Sequence, residues 1–118
     1  MEVNTMNDNT YPERDWQLFR KKYPEWRERY AQSKLAEYSH ILEMDNSSVE
    51  KLFSIQDQIN SDLCSPAMEL PNRYSRSNLL SNTIALIQAN VIAGEEIADF
   101  SEPFKNHVQL YLKTLESV

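Results

Sequence analysis

From Trp16 onward aromatic rings recur every three or four residues: Trp16, Phe19, Tyr23, Trp26 and Tyr30. At about 100° per residue they fall within an arc of about 80°, one apolar stripe on one helical face. Thr10 and Glu13 of "TYPE" spell a capping box ahead of it, with Pro12 in the first turn. Pro24 interrupts the pattern. It removes a helical hydrogen bond and pushes Tyr23 out of α conformation. The stretch reads as one kinked helix or, the favoured reading, as a short helix over 12–22 and a long one over 24–44, its face continued by Ala31, Leu35, Tyr38 and Leu42. Ser47 with Glu50 is a second capping box, before Val49, Leu52, Ile55, Ile59 and Leu63 at helical spacing to about Cys64. "SPAMELPN" (65–72), with two prolines, reads as a loop.

Ser75 or Ser77 is expected to cap a helix carrying Leu80, Ile84, Ile87 and Val91, ended or closely followed by Gly94. "EEIADF" reads as a short acidic turn. Ser101 is the expected cap of a last helix bearing Phe104, Val108, Tyr111, Leu112 and Leu115. The fold class is all-α: a compact bundle of four to five helices, with one long helix after Pro24. Residues 1–9 are polar and aperiodic, expected as a flexible N-terminus before a single helical domain over 10–118.

Composition sharpens this. One glycine in 118 residues, against a usual share of about 7%, argues against tight β-turns, dinucleotide folds and phosphate-cradling loops together. A single cysteine, Cys64, forms no intramolecular disulfide and no cysteine-rich zinc site, which suits a reducing compartment. "MEVNTMNDNT" has neither a basic start nor an apolar run, so no signal peptide is expected. The run Ile84 to Ile87 is far short of the ~20 apolar residues that span a bilayer. A cytoplasmic protein without membrane contact is expected.

Charge is uneven. The net is −6, yet residues 10–35 carry a net +3 and the remainder −9. Single-strand binders set rings beside cations on one exposed face. Here Arg14, Arg20, Lys21, Lys22, Arg27 and Arg29 spread round every part of the helix except the ring stripe. That favours buried rings with a solvated charged back over a nucleic-acid surface.

The polar chemistry is sparse. His40 and His107 have no ligand partner at metal spacing, and no cofactor or metal is expected. Glu37 is placed to pair with His40 across one helical turn. Cys64 reads as a half-buried structural thiol, and Glu95, Glu96, Asp99 and Glu102 as solvated acids at a helix start. "NRYSRSN" (72–78) is the most distinctive polar segment: Arg76 and Asn78 sit where a partner's carboxylate could be received, or Arg76 could bridge to the acids of 95–102.

The segments "DWQLFRKKYPEWRERY" and "SRSNLLSNTIALIQANVIAGEEIADFSEPFKNHVQLYL" resemble a family of small, mostly uncharacterised bacterial all-α proteins. The shared features are Trp-x-x-Phe-Arg, Pro-Glu-Trp-x-x-x-Tyr, Arg-Ser-Asn before an apolar helix and Asp-Phe-Ser before the last helix, across most of residues 13–115. The resemblance implies a framework of Trp16, Phe19, Arg20, Trp26, Tyr30, Arg76, Ser77, Asn78, Asp99, Phe100 and Ser101, and no catalytic residues. Some members are labelled multidrug transporters, which the hydropathy of this chain does not support.

The expectation is a non-enzymatic protein-interaction or regulatory domain, acting on a protein partner or by self-association. Arg73, Arg76, Asn78, Arg20 and Arg27 are the candidate partner-binding residues. The alternatives are a nucleic-acid-binding regulator using 14–34, and a small enzyme using Cys64 or the acids of 95–102.

Overall fold

The computed structural model describes residues 11–116. The stretch 1–9 and the proposed cap Thr10 lie outside them. Four helices follow one another: α1 (Glu13–Glu43), α2 (Ser48–Leu63), α3 (Leu79–Gln88) and α4 (Glu102–Glu116). Two 3₁₀ turns, Arg76–Asn78 and Gly94–Ile97, precede α3 and α4. No strand occurs among the described residues, and none of their helices is long and apolar enough to cross a membrane.

The predicted break at Pro24 is absent: α1 runs through it for 31 residues. Like Arg20, whose carbonyl loses its helical donor, Pro24 lies on the exposed side. Trp16, Phe19, Tyr23 and Trp26 flank it, all buried in one core. Burying four rings at about 1.5–3 kcal/mol each outweighs a proline penalty of about 3 kcal/mol. Their geometry is specific. The Phe19 ring stacks on Trp16 and Tyr23 (centroids 6.3 and 5.7 Å) and meets Trp26 edge-on at 6.0 Å. Tyr74 sets its edge against Trp16, Phe19 and Tyr23.

Against this stripe lie Leu79 and Leu86 of α3, Val91, Ile92, Ile97 and Phe100 of the following turn, and Phe104 and Val108 of α4. The 65–72 loop closes one side. Ala67 is fully buried there, and the Tyr23 hydroxyl donates to its carbonyl at 3.0 Å.

Two helix ends differ from expectation. Neither Ser75 nor Ser77 makes a capping bond; their hydroxyls meet each other at 3.1 Å, and Asn78 precedes α3. Gly94 does not end α3. The helix stops at Gln88 and Asn90 turns left-handed at φ 62°, with the Val91 amide donating to the Leu86 carbonyl at 3.0 Å. Asparagine tolerates that backbone because its short polar side chain suits it. Elsewhere the caps are as read: Ser47 and Glu50 form the reciprocal box, and the Ser101 hydroxyl accepts from the Phe104 amide at 3.4 Å.

Asp15 ties the two ends of the domain together. Fully buried on α1, it accepts from the Ser101 amide at 2.8 Å and the Ser101 hydroxyl at 2.6 Å, fixing the start of α4. Asp15→Ala is expected to cost about 3 kcal/mol, the worth of two hydrogen bonds to a charged acceptor. Urea unfolding measures it; a loss under about 0.5 kcal/mol would mean the tie is dispensable.

Candidate interaction surface

Of the five residues singled out from sequence, Arg76, Asn78 and Arg27 make hydrogen bonds within the chain. Arg76 grips the Glu13 carboxylate with two bonds, 2.9 and 2.7 Å, while its guanidinium lies over the Trp16 ring at 5.7 Å. Arg20 approaches the same ring at 6.0 Å. Asn78 donates to the Arg73 carbonyl at 3.1 Å, which also accepts from buried Asn82. Arg27 sits apart from these and donates to the Met68 carbonyl at 3.1 Å. The structure thus brings Arg20 and Arg76 together at Trp16, joins Arg73 to Asn78 through backbone, and leaves Arg27 at the 65–72 loop. Of the five, Arg76 through Glu13 and Arg27 through Met68 join the 65–78 segment to α1.

The expected bridge from Arg76 to the acids of 95–102 is replaced by the pair with Glu13. Two of those acids, Glu96 and Asp99, meet α1 elsewhere. Glu96 takes two bonds from Arg29 at 2.7 and 3.0 Å and one from the Ala93 amide at 2.9 Å. Burial raises the Glu96 pKa, but Arg29 and the Ala93 amide outweigh it, so the net shift is downward. Lys22 lies 3.8 Å from Asp99, and Lys105 3.0 Å from Glu102. An open cleft of about 490 Å³ between α1 and the 94–99 turn is lined by two of these pairs, Lys22–Asp99 and Arg29–Glu96, with Glu25 and Glu95 beside them. Glu37 pairs with Lys34 rather than His40. Cys64 is exposed, not half-buried, because it caps α2 where the chain leaves the hairpin. No group of three metal-ligating side chains occurs among the described residues.

What sequence reasoning missed is how the α1–α2 hairpin is rotated. A short connection returns α2 antiparallel along the C-terminal half of α1, and the contact between them is polar near the C-terminal end of α2. Asp62, buried, accepts from the Tyr38 hydroxyl at 2.5 Å and from Gln58 at 3.3 Å, with the Lys34 ammonium at 3.6 Å. Burial first, and then the Asp62 carboxylate, push the Tyr38 phenol up to about 12. The clue in the sequence was Gln58–Asp62, an i,i+4 polar pair next to the apolar stripe.

Turning Asp62 inward turns the leucines outward. Val49, Leu52 and Leu63 were expected in the core; instead they are 63%, 70% and 53% exposed, beside Phe53 at 60%. On α1, Leu35 and Leu42 are equally bare. Each strip lies roughly a quarter turn, in the same sense, from the side its helix shows to the other. In an antiparallel pair that brings both strips to one side. The hairpin thus carries one apolar face on the order of 300 Å², the size at which a surface patch is often functional.

No family model, curated protein or solved structure matches the chain.

The Arg76 and Gln17 hydrogen bonds hold the Glu13 carboxyl at about 2 against an ordinary 4.5. Its folded value lies below its unfolded one, so the pair stabilises above about 4.5 and that help is lost as pH falls through about 2. Solvent exposure keeps the energetic effect small. Carboxyl NMR of Glu13 is expected to titrate near 2 and to return toward 4.5 in Arg76→Gln; an unmoved midpoint in that variant would refute the pairing.

Proposed function

We propose that the protein is a non-enzymatic protein-interaction domain of the cytoplasm, and that it presents the outer face of the α1–α2 hairpin to a partner protein. The observation that carries this is the bare apolar face itself. Leu35, Leu42, Val49, Leu52, Phe53 and Leu63 share one side of a hairpin whose rotation is set by Asp62. Solvating such a face is unfavourable, and covering it with a partner recovers that free energy. The rest of the molecule serves as the rigid base from which the hairpin extends. The resemblance read from the sequence suits this, since it carries no catalytic residues.

Other observations support this reading over its alternatives. Trp16 and Trp26, on which a nucleic-acid base would stack, are 8% and 5% exposed. The Nδ1 of His107, one of the two bases that could have served a cysteine nucleophile, is taken by the Tyr11 hydroxyl at 2.6 Å. A single exposed thiol suits the reducing cytoplasm.

A photo-crosslinking residue tests the surface. Placed at Leu52 in the host cell, it is expected to yield a discrete protein adduct. Placed at Ser33, exposed on the opposite side of the same hairpin, it is expected to yield none. No adduct from position 52, or equal adducts from both, would overturn the assignment. Because these side chains are solvated, Leu52→Ser and Phe53→Ser should change stability by no more than about 0.5 kcal/mol; calorimetry checks that, and a larger loss would place them in the core.

A further inference from the structure

We propose that the hairpin face receives a basic amphipathic α-helix from the partner protein. This rests on the hairpin being the interaction surface, and names the chemistry of what covers it.

The argument is one of shape and charge. Leu35 and Leu42 form one ridge, and Val49, Leu52 and Leu63 a second. Between them the half-buried Ala31, Tyr38 and Ile59 form the floor. Two antiparallel helices with a shallow apolar furrow are the seat a third helix needs, with its own apolar residues at i, i+3, i+4 and i+7. From Val49 to Leu63 the furrow runs about 21 Å, so about 14 residues of partner helix fill it.

Charge selects the sign of that helix. Residues 31–63 hold two lysines against six acids, a net of −4. Both lysines are engaged inside the hairpin. Lys34 faces Glu37 and Asp62, and Lys51 donates to the Leu42 carbonyl at 2.8 Å. Uncharged Ser39, Gln56 and Asn60 lie beside the leucines, and the charged residues beyond them are all acids: Glu43 past the α1 ridge, and Glu50 and Asp57 past the α2 ridge. On the helical wheel no Lys or Arg of the hairpin falls on either border. A second copy of this chain would set acid borders against acid borders and meet like-charge repulsion. A helix with Lys or Arg flanking its apolar stripe completes both the furrow and its rim.

The test uses the full chain and a labelled synthetic peptide of about eighteen residues, with leucines at i, i+3, i+4, i+7 and lysines on the flanks. One control is a scramble of the same composition; another carries glutamates in place of the lysines. By fluorescence anisotropy the patterned basic peptide is expected to bind one to one. Both controls should bind at least about tenfold more weakly. Leu52→Ser with Phe53→Ser should weaken the patterned peptide about tenfold or more. Glu43→Lys with Asp57→Lys should shift preference toward the glutamate peptide, with each variant's fold verified by its melting temperature.

Equal binding of the scramble, or undiminished binding by the Leu52/Phe53 variant, would overturn the inference. So would a stable dimer by light scattering whose position-52 crosslinks join two copies, although that result leaves the hairpin as the interaction surface. A chain that stays monomeric, binds no peptide and gives no adduct from position 52 refutes both.

Discussion

The ring of Phe19 touches Trp16, Tyr23, Trp26 and Tyr74, and through them it keeps α1 continuous across Pro24. Every other element is positioned from that one rod. Its first turn holds the start of α4 through Asp15 and Ser101. Its middle holds the 65–72 loop through Tyr23 and Arg27, and the 94–99 turn through Arg29. Its far half is one arm of the hairpin. Were the helix to bend freely at the proline, the hairpin would swing relative to the core and its outer face would have no fixed place.

The hairpin departs from the usual arrangement of apolar inside and polar outside. Ile55 and Ile59 are half-buried, but the end of the contact is closed by the buried Asp62 carboxylate with Tyr38, Gln58 and Lys34 around it. A buried carboxylate is costly unless its lone pairs are met, and here they are. The network also acts as a rotational stop. Turning α2 about its axis to bury Leu52 and Phe53 would strip Asp62 of its partners. The same bonds that fasten the arms therefore keep the leucines in water.

Much of the architecture was legible. Helical periodicity gave the all-α class, capping chemistry placed the start of α2 at Ser47 and of α4 at Ser101, and phase alone put Trp16, Phe19, Tyr23 and Trp26 inside. What local rules missed came from tertiary context. Proline propensity favours a break at Pro24, but rings on both sides of it share one core, and packing decides. Gly94 suggests a helix end, but Asn90 supplies the left-handed residue earlier. The surface was the least legible part. Arg76 and Asn78 look like binding residues because they are polar and sit before a helix, yet Glu13 and the Arg73 carbonyl occupy them. The leucines of α2 look like core because they are leucines, and only the inward turn of Asp62 excludes them.

Gly94 has a backbone any residue could adopt, and a side chain built there would meet nothing within 4 Å. With Asn90 supplying the one positive φ among the described residues, no bend in them depends on glycine. An unfolded chain so poor in its most permissive residue samples fewer conformations, and loses less disorder on folding, than one of ordinary composition. Part of this protein's stability thus resides in the stiffness of its denatured state rather than in any contact of the native one.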